Sequence, residues 1–106
     1  MGKVLKILSG MHLGAQAELP PQGTLTMGRG EDCDLILDDL LAADEHVRLT
    51  TGPEPGSVSI SFLSPGFVGE RLAPAGHSQA LTDWEVVTFG ATQFCVGPGD
   101  APWKTP

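Results

Sequence analysis

Short segments in which apolar and polar residues alternate recur along the chain, and turn residues separate them. The clearest is segment 57–62, in which Val58, Ile60 and Phe62 fall on the same face. Such alternation is typical of a β-strand with one face in a hydrophobic core and the other in water. Comparable runs lie at 3–8, 15–19, 24–28, 34–38, 46–51, 85–90 and 92–97, and segment 63–72 is interpreted as a loop followed by a short strand.

The residues between these runs favour turns over helices. The chain contains 14 glycines and 9 prolines, and the sequence Gly-Pro-Glu-Pro-Gly at 52–56 cannot lie inside a sheet. Segment 39–46 is the one helix candidate, and we interpret it as a loop with helical character. The sequence therefore predicts an all-β fold, an antiparallel β-sandwich of about 10–11 short strands. The apolar run 35–37 is predicted to be a core strand of this sandwich.

Length and charge narrow the function. A chain of 106 residues predicts one domain, large enough to bury a core without disulfides or metals. With 6 Lys and Arg against 13 Asp and Glu, the net charge is −7. Nucleic acids and anionic membranes bind clustered positive charge, which this composition does not offer. The basic residues are scattered along the chain: Lys3, Lys6, Arg29, Arg48, Arg71 and Lys104.

Residues with the chemistry of metal or catalytic sites occur singly. Cys33 and Cys95 are predicted to be free, half-buried thiols in a reducing compartment. His12 and His77 lie in predicted turns and are expected to be solvated. A zinc site needs Cys and His in close pairs, and the acidic segment 39–45 lacks the ligand spacing and glycine of a calcium loop. Without a nucleophile–base pair, paired carboxylates or a phosphate loop, we expect no metal, no cofactor and no enzymatic activity.

The sequence also bears on location. No run approaches the ~20 apolar residues of a membrane span, and the N-terminal apolar patch is too short for a signal peptide. The chain is therefore expected to be soluble and cytosolic, alone or as a fragment of an anchored protein. Trp84 is predicted to pack at a sandwich edge. Residues 98–106 are interpreted as a linker or tail after a folded domain at 1–97, and Trp103 would be an interfacial anchor if a membrane span follows.

Residues 3–97 resemble a forkhead-associated (FHA) domain. The resemblance rests on GTLTMGRGEDCDLILDD at 23–39, DEHVRL at 44–49, SPGFVGERL at 64–72 and LTDWEVVTFGATQFCV at 81–96. Members of this family end a strand with a Gly-Arg pair, matched by Gly28 and Arg29, and place a His about 17 residues later, matched by His46. The resemblance implies an FHA-like β-sandwich in which His46 braces neighbouring loops by hydrogen bonds.

The opening segment KVLKILSGMHLGAQAELP at 3–20 is similar to the start of a narrower group. This group is the N-terminal cytoplasmic domain of the type III secretion inner-membrane ring protein, the SctD/YscD family. The resemblance implies a non-catalytic scaffold on the cytoplasmic side of the bacterial inner membrane, which the tail at 98–106 would connect to a transmembrane helix. The implied protein partners are a sorting-platform adaptor and neighbouring ring subunits. The isolated domain is expected to be a monomer or a weak oligomer.

Phosphothreonine binding, the general FHA activity, is the alternative function. A phosphate needs cationic and hydroxyl donors, and the flanking peptide backbone needs an amide side chain. Arg29 matches the arginine of the family, but Ala43 stands where the family has a serine. The loop at 64–70, which begins with Ser64 and includes Gly66, contains neither Asn nor Thr. We therefore predict that the chain does not bind phosphothreonine.

Charge near Arg29 leads to the same prediction. Seven acidic residues lie close to it in sequence and would repel a phosphate: Glu31, Asp32, Asp34, Asp38, Asp39, Asp44 and Glu45. Arg29 is instead predicted to brace its loop, by pairing with one of these acids, or to belong to a protein-docking surface. The degenerate phosphopeptide positions that would form such a surface are Arg29, Ala43, His46, Ser64 and Gly66.

Overall fold

A computed structural model describes residues 3–10, 12–20, 22–52, 54 and 57–98. Eleven strands and no helix are present in these residues, so the predicted all-β fold is confirmed. In chain order they are β1 (Lys3–Ser9), β2 (Gln16–Glu18), β3 (Gly23–Gly28), β4 (Leu35–Ile36), β5 (Val47–Thr51), β6 (Val58–Phe62), β7 (Gly66–Val68), β8 (Arg71–Ala73), β9 (Ser78–Ala80), β10 (Val87–Phe89) and β11 (Thr92–Pro98).

The strands form two sheets that enclose one core. The first sheet has the order β2-β1-β11-β10-β7-β8, and the second has the order β4-β3-β5-β6-β9. Most neighbours pair antiparallel, as expected for a sandwich of this kind. The pair β3–β4 departs from the prediction because it is parallel, with Met27 opposite Leu35 and Gly28 opposite Ile36.

The alternating residues of the strands form the core. In β6 the inward residues Val58, Ile60 and Phe62 are buried, while Ser59 and Ser61 are half-buried on the other face. The same period of two places Leu5 and Ile7 of β1 inside. One continuous cluster joins both sheets and includes the large, fully buried side chains Phe62, Phe89, Phe94, Leu5, Met27, Leu49 and Ile60.

Segment 34–46 departs most from the predictions. The apolar run 35–37 is not a core strand: only Leu35–Ile36 is a strand, at a sheet edge, and Ile36 is 54% exposed. Leu37 is buried, but it lies beyond the strand. Segment 39–46 contains turns and bends without a helix, which agrees with its interpretation as a loop.

The sequence patterns did not predict strands β8 and β9. Segment 63–72 forms the hairpin β7–β8 rather than one short strand, with Phe67 opposite Leu72. Strand β9, Ser78–Ala80, was not predicted, since its three residues are polar or small and lie on a sheet edge. The final hairpin around Gly90 was correctly predicted and is formed by β10 and β11.

The predictions for Trp84 and the cysteines can also be compared with the structure. Trp84 packs its ring against Gly97 of β11, where a Cβ atom would lie 2.6 Å from the ring, so the packing role is confirmed. Cys33 and Cys95 are free thiols as predicted, but both are buried rather than half-buried. Trp103 and the tail from Gly99 onward lie outside the described residues, and β11 extends the folded part to Pro98.

Phe62 and Phe67 lie on consecutive strands but differ in burial, so their substitution tests the assignment of the core. Phe62 is 1% exposed, whereas Phe67, on the next strand along the chain, is 43% exposed. We expect Phe62→Ala to lower the free energy of unfolding by about 3–5 kcal/mol, because it removes a fully buried ring and leaves a cavity. Phe67→Ala should cost about 1 kcal/mol or less. Urea unfolding of both variants measures the difference, and equal losses would contradict the assignment of the core.

Candidate functional site

The turn that presents Arg29 is fixed by its backbone. The Arg29 amide donates to the Ala43 carbonyl at 3.0 Å, and the Gly30 amide donates to the Asp44 carbonyl at 2.8 Å. A Cβ atom at Gly28 would overlap the Asp44 carbonyl oxygen, and one at Gly30 would lie 2.9 Å from it. Both glycines are therefore needed because a second loop passes directly over the turn.

The Arg29 side chain takes no part in this backbone contact. Its side chain is exposed, and the ion pairs found among the described residues are Lys3–Asp83 and Arg48–Glu45. The predicted brace from Arg29 to a nearby acid is therefore not formed within this part of the chain. The guanidinium is available to an external partner.

His46 braces two loops, as the resemblance implied. Its Nδ1 atom accepts a hydrogen bond from the Ala43 amide at 3.0 Å, and its Nε2 atom lies 2.8 Å from the Pro65 carbonyl oxygen. A backbone amide can only donate and a carbonyl can only accept, so Nε2 carries the proton. The ring is 5% exposed and packs on Phe89, with ring centroids 4.6 Å apart. The imidazole is fully used within the fold.

Asp39 forms a second brace between the sheets. Its carboxylate accepts hydrogen bonds from the Thr92 hydroxyl at 2.7 Å, the Ala91 amide at 2.9 Å and the Leu41 amide at 3.0 Å. Gly90 makes room for it, since a Cβ atom there would lie 2.7 Å from Oδ2 and the residue has a positive φ of 58°. Burial alone would raise the pKa of Asp39, but these hydrogen bonds outweigh it and hold the pKa below its ordinary value.

Several of the seven acids are thus occupied within the fold rather than facing a ligand. Asp39 is only 7% exposed and belongs to the network with Thr92. Asp34 accepts hydrogen bonds from the amide and hydroxyl of Thr26, and Glu45 pairs with Arg48. Glu31, Asp32, Asp38 and Asp44 are exposed. The expectation of an acidic surface near Arg29 therefore applies to fewer residues than predicted.

The structure brings most of the predicted site positions to one end of the sandwich. Ala43 bonds to Arg29 and to His46, and the Ser64 amide lies 3.4 Å from the His46 carbonyl. Gly66 is buried at the start of β7, where a Cβ atom would lie 2.7 Å from the Phe62 ring. Its missing side chain therefore lets the loop pack closely on the core. Three loops, at 28–30, 43–46 and 63–66, are thereby held together.

His12 and His77 were wrongly expected to be solvated. His12 is half-buried, and its Nε2 atom accepts a hydrogen bond from the Asp38 amide at 2.9 Å. It links the β1–β2 turn to the segment after β4. His77 is also half-buried, with its Nε2 atom 2.9 Å from the Gln79 side-chain oxygen. No sequence pattern indicates the partner of His12, because Asp38 reaches it only when the loops fold back, whereas the partner of His77 is only two residues away.

The described residues include both cysteines and all three histidines. No group of three or more metal-binding side chains exists in the described part of the chain. Burial raises the pKa of the Cys33 thiol, whose sulfur lies 3.0 Å from the Asp44 carbonyl, and burial likewise raises the pKa of Cys95. A raised pKa lowers the thiolate fraction and with it the reactivity of both side chains. Within the same residues, no helix is long and apolar enough to cross a membrane.

Comparison with known families gives a direct match. Residues 6–100 match a family described as the cytoplasmic domain of the inner-membrane component of the type III secretion system (Yop-YscD). Among curated proteins, none matches the chain significantly in sequence.

Solved structures with the same fold are numerous. The FHA domain of the CT664 protein from Chlamydia trachomatis is 25% identical, with a TM-score of 0.83 over 92% of this chain and 98% of that one. The cytoplasmic domain of the type III secretion sorting-platform protein PscD from P. aeruginosa is 19% identical, with a TM-score of 0.83 over 100% of this chain and 88% of that one. An FHA domain studied for phosphothreonine-dependent interactions is 18% identical, with a TM-score of 0.77 over 95% of this chain and 100% of that one.

The glycine and the arginine of the turn should respond differently to substitution. Gly28→Ala places a methyl group against the Asp44 carbonyl, so we expect it to lower the free energy of unfolding by about 1–3 kcal/mol. Arg29→Ala removes an exposed side chain and should change it by about 0.5 kcal/mol or less. Chemical denaturation of both variants tests this, and a large loss for Arg29→Ala would reveal a structural role for the guanidinium.

Asp39 should make stability depend on pH. Its folded-state pKa is depressed, so its contribution is complete above its ordinary pKa of about 4 and is lost as the pH falls through the folded value. We expect Asp39→Asn to cost about 1.5–3 kcal/mol at pH 7, and the gap to the unsubstituted chain to shrink below about pH 4. Urea unfolding between pH 7 and pH 2.5 measures the gap.

Asp38→Asn is the matched control for this experiment, because Asp38 is the exposed neighbour. It should show a small difference that varies little with pH. A gap for Asp39→Asn that stays constant down to pH 2.5 would rule out ionisation of Asp39 as its cause.

Proposed function

Because the chain belongs to the family of cytoplasmic domains of type III secretion inner-membrane components, we propose that it acts as a non-catalytic docking module of that apparatus. Family membership places the domain on the cytoplasmic side of the bacterial inner membrane. Its proposed partners are a cytoplasmic sorting-platform component and neighbouring copies in the ring. PscD, whose cytoplasmic domain has the same fold, is a sorting-platform protein, and this likeness supports the first partner.

The proposal rests on one observation: the loops at 28–30, 43–46 and 63–66 are held firmly together, but Ala43 lacks the side-chain donor that a phosphate would need. His46 and Asp39 hold the loops by hydrogen bonds, which preserves a defined surface. Ala43 offers no side-chain donor, and exposed Asp44 follows it directly. A dianionic phosphate would meet one guanidinium and an acidic environment, which is too little to offset its desolvation. A surface of this kind is better suited to a protein than to a phosphate.

Phosphothreonine recognition is kept as the second candidate because of one observation. The Arg29 side chain is exposed and forms no ion pair with a described acid, so its charge is free for a ligand. The 18% identical FHA structure shares the fold with this chain, and that likeness does not extend to the ligand. The proposal against phosphothreonine binding therefore rests on the donors around Arg29, among which Ala43 has no side-chain donor.

The remaining parts of the proposal concern assembly. Strand β11 ends at Pro98, opposite Lys3. Because the family is an inner-membrane component, we infer that the full-length protein continues from this domain to a transmembrane helix. The domain by itself is proposed to be monomeric or weakly associated, with ring geometry supplied by other parts of the protein.

Deletion tests the docking role. In cells that assemble the secretion apparatus, removing residues 1–97 should leave the membrane rings in place but abolish recruitment of a fluorescently labelled platform component. Fluorescence microscopy of membrane foci gives the readout. Wild-type foci after deletion would overturn the docking proposal.

Peptide titration separates the two candidates. Threonine-phosphorylated peptide libraries should show no binding at millimolar concentration, and Arg29→Ala should leave this unchanged. Isothermal titration or NMR shifts provide the measurement. Binding that disappears in Arg29→Ala would establish the phosphothreonine alternative instead.

A further inference from the structure

An apolar groove lies between the edges of the two sheets on one side of the sandwich. Strand β2 ends the first sheet and β4 ends the second, and the groove lies between these two edges. Its volume is about 340 Å³, including the part open to solvent. The lining residues are Leu5, Ile7, His12, Ala15, Gln16, Ala17, Leu35, Ile36 and Leu37. This surface adjoins the turn that holds Arg29, because the Leu37 amide donates to the Gly28 carbonyl, but Arg29 does not line it.

One exposed apolar side chain lines the groove and another lies next to a lining residue. Ile36 is 54% exposed, and Leu13, next to His12, is 69% exposed. The hydrogen bond from the Asp38 amide to His12 holds the β1–β2 turn against the end of β4. Leu13 and Ile36 are therefore carried by segments whose relative position is fixed. A fixed groove stays open for a partner and does not have to be ordered when the partner binds.

Acidic residues outnumber basic ones around the groove. Segments 12–20 and 30–45 contain no Lys or Arg, and the neighbouring cations are Lys6, opposite Gln16, and Arg29, which follows Gly28. Glu18, Asp34 and Asp38 are exposed on these segments. An apolar partner segment that enters the groove therefore gains from positive charges beside its apolar residues, and acidic partners are repelled.

The walls also offer unpaired strand edges. Because the Leu37 amide donates to the Gly28 carbonyl, the preceding amide of Ile36 points away from β3, toward the outside of the sheet. Strand β2 pairs with β1, and its other edge likewise ends the sheet. Edges of this kind can accept an added strand from a partner.

We propose that this groove binds an extended segment of a partner protein in which apolar residues alternate with Lys or Arg. Alternation points the apolar side chains into the groove and the basic ones toward Glu18 and Asp38. The inference rests on the proposed docking function, for which it names the chemistry of the partner. The site is formed by β2, β4 and the β1–β2 turn.

A peptide titration tests the groove directly. The probe is a ten-residue peptide of alternating Lys and Val, and the control probe replaces each Lys by Glu. NMR titration of the 106-residue chain should shift the signals of Leu13, Ala17 and Ile36 with the Lys-Val peptide and not with the Glu-Val peptide. No binding at millimolar peptide, or shifts confined to other surfaces, would overturn the proposal.

Matched variants separate the groove from general attraction to an acidic protein. Ile36→Ser and Asp38→Lys alter the groove, while Leu72→Ser and Glu70→Lys alter exposed residues at the opposite edge of the first sheet. We expect the groove variants to weaken peptide binding about tenfold or more, and the control variants to leave it within about twofold. Equal effects of both pairs would mean that binding is unspecific and that the proposal is wrong.

The same variants in cells distinguish failure of the groove from failure of the docking role. If Ile36→Ser and Asp38→Lys abolish platform foci as the deletion of 1–97 does, while Leu72→Ser and Glu70→Lys retain them, the groove is the docking site. If the deletion abolishes foci and the groove variants retain them, the docking role stands and the groove proposal is overturned. If the deletion itself has no effect, the docking role fails whatever the peptide result.

Discussion

The arrangement of the three loops at 28–30, 43–46 and 63–66 depends on the hydrogen bonds that the buried Asp39 carboxylate accepts. A buried charge without partners would cost several kcal/mol, so the segment after β4 is stable only where the carboxylate meets its three donors. Two of these donors, the Ala91 amide and the Thr92 hydroxyl, belong to the hairpin of the other sheet. Meeting them fixes the position of segment 39–46 across the sandwich. His46, at the end of this segment, then reaches Pro65 and fixes the third loop.

This arrangement shows which atoms hold the loops together. The contacts that hold the loops are backbone hydrogen bonds, the glycine contact at Gly28, and the side chains of Asp39 and His46. None of them involves the position of Ala43 beyond its backbone, nor the side chain of Arg29. The contacts that hold the loops therefore require Gly28 but involve neither the Arg29 side chain nor a side-chain donor at position 43.

The features that follow from short-range patterns were predictable from the sequence. Alternation located β1, β3, β5 and β6, because each has one face in the core. It failed for β9, whose residues do not alternate in polarity and whose place is set by pairing with β6. It also overestimated the burial of Ile36, since an apolar run at a sheet edge has the same composition as one in the interior. Alternation could not predict long-range polar contacts such as Asp39–Thr92 and His12–Asp38. One signal for the first contact was present in the sequence: Gly90, in the family-like segment 81–96, has no Cβ atom and so leaves room for the Asp39 carboxylate.

The two surfaces of the domain are connected through adjacent residues. The Asp38 amide donates to His12 at the groove, and the next residue, Asp39, anchors the loop end. The groove walls are thus positioned by the same segment that positions the loops near Arg29. A partner that binds the groove meets a preformed site and loses little free energy to ordering it. The buried network of Asp39 therefore supports the groove as well as the loops, because Asp38 and Asp39 are consecutive residues of one segment.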